Sequence, residues 1–260
     1  MLLFVIYVIF IGAAAGSFAC CQARRFGKKS KNKIEKWSVC FTCGQRLRWY
    51  ENIPIVSWVI QKGKCRRCGA SIGRAEILAE IGGIIGFLLG FRHFYVEYMS
   101  DGASLELGLR GVVWGVLLMI LMIVGICDAL TKKMPTKLLV LGDIVAGGYL
   151  GIELLCGRIE ISNLLGSLII LPGLYYFLYK ISNEKLVGGG DWMICLAIAL
   201  VLHDWWLGIW VLYLANCAGA IVMLGMKKKQ MAFGPYLILA FAVVFGFSEM
   251  FSSLILFKTG

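Results

Sequence analysis

The chain has 260 residues, 60% of them hydrophobic and only 16% charged, with a formal net charge of +11 and a mean hydropathy of +0.82. Because the charges cluster, several apolar runs approach the roughly 20 residues that a helix needs to cross a bilayer. A soluble fold is therefore excluded, and an all-α polytopic membrane protein is predicted; 32 glycines against four prolines agree with membrane helices.

Residues 1–22 form the first apolar run. No positive residue precedes it and a basic cluster follows, so it reads as a retained helix with its N-terminus outside, despite Ala13-Ala14-Ala15 resembling a cleavage site. Residues 23–75 are a strongly basic insertion. Seven further apolar runs follow, at 76–91, 107–127, 138–156, 162–180, 192–204, 206–225 and 235–257, which predicts about eight transmembrane helices. With the N-terminus outside, 22 of the 26 Lys and Arg fall in inward segments, leaving only Arg92, Arg110, Arg158 and Lys258 outward. That asymmetry obeys the positive-inside rule, and the inverted topology breaks it. The net charge is explained by an anionic inner leaflet, with no nucleic-acid partner expected. The remainder, 76–260, is expected to be one multi-helix membrane domain.

Within the insertion stand Cys40-Phe-Thr-Cys43-Gly44 and Cys65-Arg-Arg-Cys68-Gly69. Two residues between cysteines let both sulfurs of a pair face one ion, and two such pairs complete the four-sulfur shell of structural zinc. The glycine after each pair permits the turn that aims backbone N–H groups at the sulfurs. Basic neighbours (Arg46, Lys64, Arg66, Arg67) offset the charge of a zinc tetrathiolate. Four sulfurs leave no open position for water, so the role is structural. A pair of disulfides or four unliganded thiols are the alternatives; a reducing cytosol argues against the first and the doubled, spaced pattern against the second. The other six cysteines read as small apolar packing residues.

Acids in or beside membrane helices are costly and invite explanation. Asp128 closes the third apolar run, seven residues before Pro135. Asp191 follows Gly188-Gly189-Gly190 and opens the sixth. The predicted topology puts both at the cytoplasmic face. If they converge, like charges so close cannot both ionise, so the pair shares a proton. The ionised member takes a proton from water while the protonated one donates to a peptide carbonyl. Gly188, Gly189 and Gly190 let an extended substrate backbone approach. The plainer alternatives stay open: Asp191 as a helix-N-terminal charge, and Asp128 in a salt bridge to Lys132 or Lys133.

The chain resembles the type IV prepilin peptidases, also called leader peptidase/N-methyltransferases. The resemblance rests on Gly16-Ser17-Phe18, on the two cysteine pairs flanking Leu47-Arg-Trp49-Tyr-Glu51-Asn52-Ile-Pro54-Ile-Val-Ser57-Trp58, on Asp128 with Pro135, on Gly188-x-Gly190-Asp191, and on Phe233-Gly234-Pro235-Tyr236. It implies a G-x-G-D membrane aspartyl protease of the bacterial inner membrane with Asp128 and Asp191 as its catalytic pair. The implied substrate is a prepilin or pseudopilin, cut after a glycine. It further implies N-methylation of the new N-terminus with S-adenosylmethionine, associated with the cysteine-bearing segment. The chain departs from the family pattern at Met193, where Lys is usual, at Thr136, where Asp or Asn is common, and at Glu80, one residue off the usual spacing. A membrane-anchored zinc module that binds a partner without catalysis is the alternative, and an ion transporter using Asp143 or Glu80 is a third reading.

Overall fold

The computed structural model describes residues 2–27, 37–182, 187–226 and 232–254. Met1 and ten of the basic residues counted above (Lys28, Lys29, Lys31, Lys33, Lys36, Lys185, Lys227, Lys228, Lys229 and Lys258) lie outside the described residues. Among the described residues the protein is helical, and extended pairing is limited to two isolated bridges, Val39 with Arg46 and Lys64 with Ser71. Two compact units, residues 1–88 and 89–260, divide the chain.

The first unit holds α1 (Leu2–Gly27), a single 3-10 turn (Trp49–Asn52), α2 (Val56–Ile60) and the start of α3 (Arg74–Asp101). In lipid no water-driven force presses helices together, so close approach through small residues has to supply the packing. That is how α1 meets α3. A methyl group added at Gly12 would lie 2.7 Å from the Gly83 carbonyl oxygen, and one at Gly16 would lie 2.7 Å from Glu80 Cα. Beyond the crossing, Arg24 reaches Glu76 at 2.5 Å. The outer faces carry Leu3, Phe4, Ile6 and Tyr7 exposed, a surface suited to lipid and not to water.

The second unit contains the rest of α3, then α4 (Leu105–Thr131), α5 (Thr136–Leu155), α6 (Ile161–Leu168), a π-turn (Ile169–Gly173), α7 (Leu174–Ser182), α8 (Asp191–Leu202), α9 (Trp205–Met226), α10 (Gly234–Gly246) and α11 (Ser248–Ser253). The Ser104 hydroxyl caps α4 by accepting the Leu107 N–H at 3.0 Å. The helix stops at Lys132, which takes the left-handed conformation (φ 54°), just before Pro135. The π-turn at Pro172 joins α6 and α7 into one rod, because proline cannot donate the regular helical hydrogen bond. Buried Ile194, Cys195, Ala197, Ile198 and Ala199 put α8 at the centre, where it packs on α5, α6, α9 and α10.

Among the described residues each of the eight expected runs falls in helix, but only six helical stretches are both long and apolar enough to span: Leu2–Phe26, Arg74–Asp101, Leu105–Thr131, Thr136–Leu155, Ile161–Ser182 and Trp205–Gly225. With 12 and 13 residues, α8 and α10 are roughly 18–20 Å long at ~1.5 Å per residue, short of a ~30 Å hydrocarbon core. The run at 192–204 ends early because His203 turns left-handed (φ 38°), and the run at 235–257 breaks at Phe247 into α10 and α11. The first run extends past residue 22, to Gly27.

A buried ionic cluster ties α3, α4 and α5 together in the second unit. Arg110, 4% exposed, contacts Glu153 at 2.6 Å and also Glu97, whose carboxylate is shared with Arg158. The Arg110 Nε is an ion contact to Glu153 without a well-directed hydrogen bond. Such a cluster contributes less through attraction than it costs when one member goes missing. Arg110→Met strands Glu153 and leaves Glu97 to Arg158 alone, and a loss of about 3–5 kcal/mol in unfolding free energy is expected. Denaturant unfolding in detergent measures it, and adding Glu153→Gln restores part of the loss.

Candidate active site

Asp128 sits three residues from the end of α4 and is 7% exposed. A carboxylate at a helix C-terminus opposes the helix dipole, so its position needs support from elsewhere. That support is the backbone N–H of Gly234, which donates to Asp128 Oδ2 at 3.1 Å from the start of α10. Among the described residues no ion pair joins Asp128 to Lys132 or Lys133. Proline at the second residue of α10 and the bare Gly234 together explain why this backbone comes so near. A methyl group added at Gly234 would lie 3.1 Å from Asp128 Oδ2 and 2.8 Å from Met134 Cε.

Asp191 is the first residue of α8 and is 6% exposed. Its Oδ2 accepts the Gly188 N–H at 3.0 Å, while its own N–H donates to the Gly188 carbonyl at 3.1 Å. This reciprocal turn has the capping character of the plainer alternative. It occupies only one carboxylate oxygen, however. Asp191 Oδ1 is buried and has no hydrogen-bond partner among the described residues, a state that costs free energy unless a proton or a ligand shares it.

Met134, which the sequence had not singled out, links the two acids. Its side chain lies over Gly190, where an added methyl would be 3.0 Å from Met134 Cβ. Its Cε reaches Gly234, as does Cδ1 of Ile194, three residues beyond Asp191. The end of α4, the start of α8 and the start of α10 thus enclose one neighbourhood containing both acids. The space left by Gly189 faces the Tyr179 ring at 3.3 Å, and that left by Gly190 is covered by Met134. The only available signal for Met134 was an apolar residue between two lysines and a proline. Two buried carboxyls in such surroundings can divide the work of acid and base on a water and a carbonyl.

In the first unit the four sulfurs of Cys40, Cys43, Cys65 and Cys68 all lie within 4.8 Å of one another. A tetrahedral zinc with ~2.3 Å bonds needs sulfurs about 3.8 Å apart, and Cys40 Sγ is 3.9 Å from Cys68 Sγ. Two matching knuckles present them. Gly44 N–H donates to the Cys40 carbonyl and Gly69 N–H to the Cys65 carbonyl, both at 2.9 Å, with the glycines left-handed at φ 70° and 68°. The backbone N–H of Cys43, helped by that of Thr42, pulls the Cys40 thiol down to about 6, the direction a metal-binding thiolate requires. The donor set and its spacing fit zinc, with Arg46 stacked on Trp37 at 3.4 Å beside it.

The remaining acids have distinct surroundings. Glu80 Oε2 accepts the Ile55 N–H at 2.7 Å. Ile55 holds φ 61°, a strained value for a β-branched residue, so Glu80 clamps the turn that follows Pro54. Asp143 lies within α5, and its Oδ1 is buried without a hydrogen-bond partner among the described residues. Met193 is half-buried in α8. His93 packs on Phe245 at 4.1 Å, and His203 bonds the Val201 carbonyl at 3.0 Å.

The profile of the Bacterial Peptidase A24 N-terminal domain matches residues 10–94. A prepilin leader peptidase/N-methyltransferase from Dichelobacter nodosus is 30% identical over 222 residues, which cover 82% of this chain and 72% of that protein. One from Pseudomonas aeruginosa is 25% identical over 92% of this chain and 89% of its own length. A third, from Stutzerimonas stutzeri, is 29% identical over 78% of this chain and 69% of that protein. No solved structure matches the chain.

Proposed function

The chain belongs to the prepilin leader peptidase/N-methyltransferase family and is a multi-pass membrane enzyme, and from that premise we propose that Asp128 and Asp191 cut the leader of a type IV prepilin or pseudopilin after a glycine. The observation that carries this reading is the shared neighbourhood of two buried acids from distant parts of the chain, one of them with an unpartnered oxygen. One carboxylate accepts a proton from water, whose oxygen attacks the peptide carbonyl carbon. The other, protonated, donates to the carbonyl oxygen. Collapse breaks the carbon–nitrogen bond, and the departing amine takes a proton from the pair. The Gly234 and Gly188 N–H groups hold one oxygen of each acid and leave Asp191 Oδ1 for the water. In the same reading Gly188, Gly189 and Gly190 border the substrate's path.

The cysteine cluster holds a structural zinc that stiffens a cytoplasmic module lying in the chain between α1, which ends at Gly27, and α3, which begins at Arg74; the protease domain follows it. The N-terminus lies outside, and the basic residues face the anionic inner leaflet of the bacterial inner membrane. After cleavage the new N-terminal amine is methylated. The amine gives a proton to water, its lone pair takes the methyl carbon of S-adenosylmethionine, and the carbon–sulfur electron pair stays on sulfur, which leaves as a neutral thioether. Incubating the purified enzyme with a prepilin and S-adenosylmethionine and weighing the product tests both steps. The expected product lacks the leader and carries one added methyl group. Uncut substrate contradicts the protease assignment, and cut but unmethylated product contradicts the second activity.

A further inference from the structure

A cavity of about 600 Å³ in the first unit opens between the C-terminal half of α1 and the Trp49–Asn52 turn, walled also by Phe41 and Glu76. It belongs to neither the zinc cluster nor the paired acids. We propose that this cavity is where the enzyme binds its methyl donor, an inference that rests on the methyl-transfer reading above.

The size suits a nucleoside-bearing ligand, since small-molecule sites run about 300–1,000 Å³. The lining also has the right chemistry. S-adenosylmethionine combines a flat adenine, a sulfonium cation, and an amino-acid end carrying a carboxylate. Trp49 and Phe41 are exposed aromatic rings on the wall, at 79% and 42%, and a flat base or a cation lies well on such a face. The Phe41 ring already receives a cation, because the Arg24 guanidinium carbon stands 5.3 Å from its centroid. Glu76 supplies the carboxylate that a sulfonium or amino group favours, Arg24 and Arg25 supply guanidinium groups for the donor's carboxylate, and Asn52 adds an amide.

The polar end of this wall is incompletely satisfied. Glu76 Oε1 pairs with Arg24 Nη2 at 2.5 Å, yet Glu76 Oε2 and Arg24 Nε are both buried with no hydrogen-bond partner among the described residues. A pair that existed only to join α1 to α3 would gain by satisfying those atoms. A small rearrangement on ligand entry would let both bond. Phe10, Ala14 and Phe18, all exposed, also line the cavity and would suit a lipid acyl chain instead; the aromatic and charged part of the wall favours the nucleoside.

The test uses the full-length protein in detergent and measures binding of radiolabelled S-adenosylmethionine by equilibrium dialysis, with S-adenosylhomocysteine as competitor. Trp49→Ala and Glu76→Gln are each expected to weaken binding at least ~10-fold, while prepilin cleavage and zinc content stay at wild-type levels. Trp49 is so exposed that its truncation leaves the fold alone, and Glu76→Gln keeps the side chain's shape. If wild type binds the donor and both variants bind it equally well, the donor sits elsewhere and the location is wrong, while methyl transfer stands. If wild type binds no donor, both the location and the methyl-transfer reading fall. Native mass spectrometry showing a retained phospholipid that S-adenosylhomocysteine does not displace identifies an acyl-chain pocket and also overturns the proposal.

Discussion

On the proposed mechanism, Asp191→Asn and Asp128→Asn are each expected to reduce prepilin cleavage by about 10⁴-fold or more while the protein still inserts and folds; a loss of that order is ordinary when one member of a catalytic set is removed. Asparagine is the informative replacement because it is nearly isosteric. In Asp191→Asn the new amide oxygen could still accept the Gly188 N–H, and asparagine is favoured at helix N-termini, so a purely capping role predicts wild-type cleavage. Likewise an amide oxygen at position 128 could still accept the Gly234 N–H that holds Asp128. What neither amide can do is carry the catalytic proton. Residues that act as a unit are not additive, so the double variant should be no slower than the slower single one. Cleavage rates in mixed micelles, read by mass, measure all three.

Cys65→Ser is the second large effect. Cys65 is the buried member of the cluster, and a serine oxygen is a poor substitute for a thiolate on zinc. Structural zinc contributes roughly 10–16 kcal/mol to small cysteine modules, far more than the stability of a typical domain's single contacts. The described part of the insertion has only one turn of 3-10 helix and the five-residue α2, too little to fold unaided. Zinc content is expected to drop from one per chain to none, and trypsin is expected to cut faster than in the wild type at Arg46, Arg66 or Arg67. The helices of the second unit should keep their circular-dichroism signal. Full zinc retention in Cys65→Ser would sink the tetrathiolate assignment.

Much of this was legible in the chain because the signals were local. The cysteine knuckles follow from two-residue spacing with a glycine behind each pair, and both glycines adopt the left-handed turn that spacing required. The apolar runs each became helix for the same reason. Lengths were harder, because hydropathy does not mark where a helix breaks. His203 and Phe247 end their helices through backbone conformation, with no proline or charge run to announce it. Least legible were tertiary contacts: Met134 covering Gly190 and Gly234, and Arg110 gathering Glu97 and Glu153 from two other helices. Sequence counted Arg110 only as an outward charge, since partners that many residues away leave no periodic trace.

The most direct measurement asks whether positions 128 and 191 are neighbours in the membrane. Asp128→Cys and Asp191→Cys are combined in a chain whose Cys20, Cys21, Cys127, Cys156, Cys195 and Cys217 are replaced by alanine, and the pair is treated with a short bis-thiosulfonate. A single intramolecular bridge joining the peptide of α4 to that of α8 is the expected product. Two thiols that each react with the reagent but are never joined to one another would contradict the pairing on which the protease mechanism depends.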